Sequence, residues 1–391
     1  MRRTIRTLVL FLAAWPALTP ISSFQEVSIP LRMGLTIVTA INEPARGDYE
    51  SLKRVTNLNE RDVTLSISGD APVAPDPLAG LFGQEPARQA GKPESRGFRV
   101  RRTVRREDLK SAHAYMQSFL EGSPETFPGS TALGVSAAVL DELKTTGQSE
   151  LAIFDRRSSS GALGGALGGL LGGLLGGDAG MLSFDDSSKA KGMIRIVKGA
   201  SATLTVLVNG TPTPLPVVHA RGTLGDLACE FVFLDDPANP LSLRYAYGEN
   251  KLQVVRIEFP GDETTAASAP TIATQLAATG QAEIYGIYFD FASDRIKEES
   301  EPVLIEIAKA LTDNPAWQLS VNGHTDNIGG DVPNLELSKR RAAAVRQALV
   351  TRHKAAAARL TTDGFGASRP RGTNATLEGR ARNRRVELIR K

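Results

Sequence analysis

The chain has 391 residues, of which 41% are hydrophobic and 23% charged, and its formal net charge is +3. This length is too great for one ordinary core and predicts two or three domains with the composition of a folded protein. So small a net charge does not indicate nucleic-acid binding, and we expect no nucleic-acid partner. The single cysteine, Cys229, excludes an internal disulfide. The four histidines show no metal-ligand spacing, so we expect no metal and no cofactor.

The first 25 residues have the pattern of a secretory signal peptide. Three arginines precede the apolar run TLVLFLAAW at residues 7–15, and two prolines interrupt the apolar stretch before it is long enough for a comfortable membrane span. We therefore expect the bulk of the chain to lie outside the inner membrane. An uncleaved anchor helix is the alternative. No cysteine follows the apolar run to carry a lipid, which argues against a lipoprotein.

The following segment, residues 26–260, is interpreted as a β-rich mixed domain. Alternation of apolar and polar residues predicts strands over residues 26–70 and again over residues 193–259. Helical spacing of apolar residues predicts helices over residues 107–120 and 130–144. The order of these elements predicts a mixed domain whose second half is an antiparallel meander or sandwich.

Two stretches of biased composition interrupt this pattern. Residues 161–177 read GALGGALGGLLGGLLGG, with glycine pairs every four residues. We interpret this tract as a flexible surface loop, because ordering glycine is entropically costly. Membrane insertion through its spaced small residues is the alternative. Residues 261–280, which begin with small and polar residues, are interpreted as a linker.

The clearest pattern lies in residues 281–391. It predicts, in order, a strand over 283–290, a helix over 298–311, a strand over 317–323, a helix over 334–350, and strands over 360–364 and 385–389. This order predicts an α/β layer sandwich (β-α-β-α-β-β) with its helices on one face. The fold class predicted for the chain is therefore α+β, with this sandwich preceded by the β-rich mixed domain.

Several separated motifs occur in this segment. They are YFDF at residues 288–291, GHTDN at 323–327, Asn334 followed by LSKRRA at 337–342, and NRRV at 383–386. In this order and with these predicted elements between them, the motifs resemble those of the OmpA-like peptidoglycan-binding family. Flagellar stator proteins share this domain. The resemblance covers residues 281–391, and residues 26–260 resemble no family.

The motifs place a carboxylate and a guanidinium where they could meet. Asp326 directly follows a predicted strand, and Arg341 lies fifteen residues later on the next predicted helix. Such a pair matches a zwitterion, since a carboxylate binds an ammonium group and a forked guanidinium binds a carboxylate. The resemblance implies that Asp326 and Arg341 clasp the diaminopimelate of peptidoglycan stem peptides, and that Asn334 and Arg384 assist. The alternatives are a turn or helix cap for Asp326, a surface arginine for Arg341 and a helix N-cap for Asn334.

No motif predicts catalytic residues. The run GVSAA at residues 134–138 is a partial nucleophile elbow, but it lies within a predicted helix rather than after a strand. The leading hypothesis is a non-enzymatic protein of the Gram-negative envelope, in the periplasm or at the outer membrane, that grips peptidoglycan. Association with the outer membrane itself is left open. A wall-targeted enzyme with its active site in the N-terminal domain, or a stator-like inner-membrane protein, is the alternative. The sequence identifies no partner for residues 26–260.

Overall fold

The computed structural model describes residues 28–44, 46–73, 95–116, 125–154, 189–259 and 271–391. Three predictions therefore lie wholly or partly outside the described residues. They are the signal peptide at residues 1–25, the Gly/Leu-rich loop at residues 161–177 and the first half of the linker.

A large sheet dominates the part of the chain before residue 260. Within the described residues it has thirteen strands, in the order β4-β3-β2-β1-β13-β12-β11-β10-β8-β7-β5-β6, with β9 pairing with both β10 and β13. The strands are β1 (Thr36–Glu43), β2 (Gly47–Leu58), β3 (Asp62–Pro72), β4 (Ser95–Arg105), β5 (Ala114–Tyr115), β6 (Ser130–Thr131), β7 (Gln148–Phe154), β8 (Lys189–Ile196), β9 (Thr203–Val208), β10 (Thr211–Leu224), β11 (Leu227–Leu234), β12 (Ser242–Tyr247) and β13 (Asn250–Glu258). The prediction of a β-rich mixed region is confirmed.

Both faces of the sheet are buried near its middle. On β11, Phe231 and Phe233 enter one apolar core, whereas Val232 and Leu234 enter another on the opposite face. Successive side chains of a strand point to opposite faces, so a strand covered on both sides is apolar throughout. Cys229 lies on the same strand, and burial raises the pKa of its thiol to about 11. A thiol with so high a pKa is unreactive at neutral pH.

The two helices that the structure describes in this region, α1 (Arg106–Ser111) and α2 (Ala137–Thr146), are shorter than predicted. The helix predicted over residues 107–120 stops at Ser111, and β5 follows it. The helix predicted over residues 130–144 starts late because residues 130–131 pair with β5 as strand β6. Periodicity does not register such non-local pairing. Ser136, the serine of the partial elbow, is the N-cap of α2 and accepts a hydrogen bond from the Val139 amide (3.3 Å).

A smaller sheet forms the C-terminal unit, in the order β14-β17-β15-β16. All its pairs are antiparallel except the parallel pair of β15 and β16. Its strands and helices are α3 (Ile272–Thr279), β14 (Gln281–Ile284), α4 (Glu301–Asp313), β15 (Leu319–Gly323), α5 (Asp331–Thr351), β16 (Leu360–Gly364), α6 (Leu377–Asn383) and β17 (Val386–Arg390). Short 3-10 turns occur at Glu298–Ser300 and Ala357–Arg359.

The apolar residues of this sheet lie on one face. Val321 and Leu388 pack into a core with α3, α4 and α5, whereas their strand neighbours Asn322 and Glu387 alternate onto the other face. The predicted sandwich with helices on one face is confirmed. Three details differ: β14 ends at Ile284 instead of continuing to residue 290, α6 had no prediction, and α3 occupies the second half of the predicted linker. Among the described residues, none of the helices combines the length and hydropathy that a membrane span needs.

The two units contact each other through an apolar cluster and several ion pairs. Helix α6 lies against β1 and β13 of the large sheet. The cluster consists of Val38, Ala40, Leu52, Val255, Tyr288 and Ala381. Around it, Arg380 Nε lies 2.6 Å from Asp48 Oδ2, and Lys297 Nζ lies 2.8 Å from Asp70 Oδ2. The large sheet therefore lies beside the edge of the C-terminal unit that carries the sequence motifs.

Candidate ligand-binding site

A cavity of about 790 Å³ lies between the large sheet and the C-terminal unit. Its lining includes all four of the predicted ligand-binding residues, which are Asp326, Asn334, Arg341 and Arg384. The sheet contributes residues of β2 and β13, including Glu50 and Arg256. The structure thus brings the predicted residues together, but it encloses them with a wall that the sequence did not predict.

The position of Asp326 depends on a close approach between β15 and α5. A Cβ atom on Gly323 would lie 2.1 Å from the Ser338 carbonyl oxygen, so only glycine fits where the strand passes the helix. Beyond the strand, Asp326 Oδ1 accepts a hydrogen bond from the Ile328 amide (3.0 Å). The alternative of a turn cap is therefore correct for one oxygen. The other, Oδ2, is engaged by Arg384 across the cavity.

Asn334 holds this loop in place. Its side-chain amide donates to the carbonyl oxygens of Asp326 (3.1 Å) and Ile328 (2.9 Å). The alternative that Asn334 is the helix N-cap is wrong, because α5 begins at Asp331 and its N-cap is Gly330, whose φ of 89° favours glycine. Asn334 therefore fixes the loop that carries Asp326.

Arg341 enters the cavity from α5. Its Nε donates to the Ser293 carbonyl oxygen (2.9 Å), and its guanidinium lies 4.8 Å from the centre of the Phe289 ring. Among the residues that the structure describes, no carboxylate lies within ion-pair distance of Arg341. Burial, reinforced by the nearby charge of Arg384, lowers the pKa of Arg341 to about 10. The neighbouring Arg340, by contrast, has a side chain that is 53% exposed, so Arg341 is not simply a solvated surface arginine.

Arg384 lies between two carboxylates. Its Nη1 is 2.5 Å from Asp326 Oδ2, and its Nη2 is 2.5 Å from Glu50 Oε1 on strand β2. The second oxygen of Glu50 accepts from Arg256 Nη2 at 3.2 Å. Burial alone would raise the pKa of Glu50, but the two guanidinium groups outweigh it and lower the pKa to about 2. Burial alone would lower the pKa of Arg384, and the two carboxylates outweigh it and raise the pKa above its ordinary value.

The remaining motif residues support the framework. Asn383 accepts hydrogen bonds from the amides of Arg371 (2.7 Å) and Gly372 (2.9 Å), which fixes α6. His324 is buried and stacks on Phe365, with ring centres 5.4 Å apart. Among the described residues, no cluster of histidine, cysteine or acidic side chains is arranged to hold a metal ion.

Three contributors to the site were missed. Phe289 lay in a recognised motif, but nothing in the sequence indicated that it packs against Arg341. The Ser293 carbonyl is main chain, so its role leaves no sequence signal. Glu50 precedes Arg384 by 334 residues, and only the docking of the two units brings their side chains together. Long-range contacts of this kind leave no periodic pattern.

Comparison with known proteins supports the assignment of the C-terminal unit. Residues 288–384 match the model of the OmpA family. Outer membrane porin F of Pseudomonas aeruginosa is 44% identical over 101 residues, which are 26% of this chain and 29% of that protein. The probable lipoprotein YiaD of Escherichia coli is 38% identical over 102 residues, 26% of this chain and 46% of that protein. The peptidoglycan-binding protein ArfA of Mycobacterium tuberculosis is 41% identical over 87 residues, 22% of this chain and 26% of that protein.

The matched segment thus spans less than half the length of each of these three relatives. The part of the chain before residue 288 matches no family model. Residues 288–384, with the motifs that line the cavity, therefore form an OmpA-family domain.

Proposed function

We propose that the C-terminal unit binds peptidoglycan non-covalently and thereby tethers an envelope protein to the cell wall. The family match and the relative named as a peptidoglycan-binding protein support this proposal. The observation that carries it is the state of Arg341, a partly buried guanidinium that lines the cavity without a carboxylate partner among the described residues. Partial burial of a charge without a partner at ion-pair distance is costly, and an anionic ligand group would relieve that cost.

The ligand group that fits best is the amino acid end of diaminopimelate in a stem peptide. Its carboxylate would bind the guanidinium of Arg341, and its ammonium group would bind the carboxylate of Asp326. Asp326 has a side chain that is only 11% exposed, so an ion pair there would be shielded from water. Asn334 would act as a positioning residue through its two hydrogen bonds to the Asp326 loop. Arg384 would orient Asp326 and add a second guanidinium near the ligand carboxylate.

The same proposal places the protein in the periplasm of a Gram-negative cell or at its outer membrane, where peptidoglycan is accessible. The names of two relatives, an outer membrane porin and a probable lipoprotein, support an envelope location. The protein would act by binding alone, without cleaving the polymer. Residues 26–260 would provide the part that is tethered.

Co-sedimentation of the full chain with purified sacculi tests the proposal. The wild type should pellet with sacculi, and the double variant Asp326→Ala plus Arg341→Ala should remain in the supernatant. The matched control is Lys309→Ala plus Asp313→Ala, which removes one positive and one negative charge from an exposed pair on α4 (2.6 Å apart) away from the cavity, and should pellet like the wild type. Equal pelleting of the first double variant would contradict the site, and release of soluble muropeptides would contradict binding without catalysis.

A further inference from the structure

The large sheet places a carboxylate inside the site that is proposed to take a ligand carboxylate. Glu50 of β2 bonds to Nη2 of Arg384, while Asp326 bonds to Nη1 of the same side chain. Each terminal nitrogen of Arg384 therefore already has one carboxylate partner. A ligand carboxylate that approaches Nη2 from the side of the large sheet competes with Glu50 for that position, whereas Asp326 is fixed in place by the loop of its own unit.

The contact around Glu50 is part of a matched pair. Asp48 and Glu50 are two residues apart on β2, so their side chains leave the same face of the strand. Arg380 and Arg384 are four residues apart at the end of α6, so they lie on one side of the helix. Each acid meets one arginine, Asp48 with Arg380 at 2.6 Å and Glu50 with Arg384 at 2.5 Å. Strand β2 is thus docked on α6 by two charge-assisted contacts in register.

Release of the Glu50–Arg384 contact leaves neither of these two side chains without a counter-charge. Glu50 keeps Arg256, a residue of the large sheet whose side chain is 3% exposed and whose Nη2 lies 3.2 Å from Glu50 Oε2. Arg384 keeps Asp326. The large penalty for breaking a buried ion pair arises when one partner is left uncompensated, and here neither is. An incoming carboxylate can therefore replace Glu50 at little electrostatic cost.

We propose that Glu50 is an intramolecular competitor of the ligand carboxylate, so that docking of the large sheet through Asp48 and Glu50 weakens peptidoglycan binding. This inference rests on the proposed function. It makes sheet docking and ligand binding mutually antagonistic. Because such coupling is reciprocal, peptidoglycan binding weakens the docking of the sheet by the same factor. Away from the wall, the N-terminal region would be docked on the C-terminal unit, and binding to peptidoglycan would favour its release from that unit.

The test measures the affinity of the full chain for a soluble stem tripeptide that ends in meso-diaminopimelate, by calorimetric titration. Glu50→Gln removes the competing charge, and Asp48→Asn weakens docking without touching Glu50 or Arg384. Both variants should bind the tripeptide at least about fivefold more tightly than the wild type, the lower end of typical coupling. The control Glu230→Gln removes an equal charge from an exposed position of β11 and should bind like the wild type.

A second readout follows the docking itself. Hydrogen exchange at the amides of β2 and α6 should accelerate when the wild type is saturated with the tripeptide, and should already be fast in Asp48→Asn. Wild-type or weaker affinity in both folded variants would overturn the competition. If Glu50→Gln fails to fold, the affinity of Asp48→Asn for the tripeptide alone tests the competition.

Failure of the inference and failure of the proposed function are distinguishable. If the wild type binds the tripeptide and the Asp326→Ala plus Arg341→Ala variant does not, the result supports the proposed ligand site. Unchanged affinity in Asp48→Asn and Glu50→Gln then overturns the competition alone. If neither the wild type nor any variant binds the tripeptide or sacculi, the proposed function and the competition by Glu50 are both contradicted.

Discussion

Replacement of Arg341 by methionine should weaken binding by about 10- to 150-fold while leaving the fold intact. Arg341 is held by one main-chain hydrogen bond to Ser293 (2.9 Å) and by the Phe289 ring at 4.8 Å. It has no carboxylate partner among the described residues. Methionine keeps most of the side-chain length and can still pack on the ring. The substitution therefore separates the charge that the ligand needs from the packing that the fold needs.

The effects on stability oppose each other. The pKa of Arg341 is lowered to about 10, which corresponds to an electrostatic cost of roughly 3 kcal/mol for keeping this charge in the folded protein. Removal of the guanidinium relieves that cost. It also loses a charged hydrogen bond of about 1.5–3 kcal/mol and a ring contact of about 0.5–1 kcal/mol. The free energy of unfolding should therefore change by less than about 2 kcal/mol. Loss of the bond to a ligand carboxylate should weaken binding by about 10- to 150-fold.

Urea unfolding followed by Trp317 fluorescence measures the stability term, because Trp317 packs against the core of the C-terminal unit. Titration with the diaminopimelate tripeptide measures the binding term. Arg352→Met is the matched control, since it removes an equal charge from an exposed position at the end of the same helix, outside the cavity, and should change neither quantity by much. Unfolding of the domain by Arg341→Met, or wild-type affinity of this variant for the tripeptide, would contradict the role assigned to Arg341.

Two further predictions follow from the site and its wall. Gly323→Ala should destabilise the C-terminal unit by about 1–3 kcal/mol or more and weaken sacculus binding. The reason is that the new methyl group would lie 2.1 Å from the Ser338 carbonyl oxygen and must displace α5, which carries Arg341. Wild-type stability of this variant in urea would contradict the prediction. The low pKa of Glu50, about 2, means that its contribution to stability is complete above about pH 5 and is lost as the pH falls towards 2. The difference in unfolding free energy between wild type and Glu50→Gln should therefore shrink over that range, and a constant difference would contradict the ion-pair account.

The sequence predicted correctly several features that depend on residues close together in the chain. The close match between the predicted and observed strand at residues 360–364 reflects an uninterrupted strand pattern. The positions of Asp326 and Arg341 in the site could be predicted because both lie within recognisable motifs of one strand–helix unit. The alternative that Asn334 is the helix N-cap is wrong because asparagine is a common cap, whereas Gly330, which holds that position, gives no sequence signal of its φ of 89°.

The rest could not be predicted because it depends on contacts distant in sequence. Strand β14 stops at Ile284, and the segment beyond it turns towards the large sheet, where Tyr288 donates to Glu258 (2.6 Å). Helix α3 was taken for linker because its small and polar residues dominate the composition, although Ile272 and Leu276 anchor it in the core. Most consequentially, the alternation of β2 gave no sign that Glu50 would reach into the site.

The proposed site would recognise both charges of the zwitterionic end of diaminopimelate. The affinities for two stem tripeptides that differ only in the third residue, meso-diaminopimelate or L-lysine, test this recognition. Lysine retains the side-chain ammonium group but lacks the second carboxylate, so Asp326 keeps a partner and Arg341 loses one. The wild type should bind the diaminopimelate peptide about 10- to 150-fold more tightly than the lysine peptide, and Arg341→Met should remove this preference. Equal affinity of the wild type for the two peptides would contradict the proposed recognition of both charges.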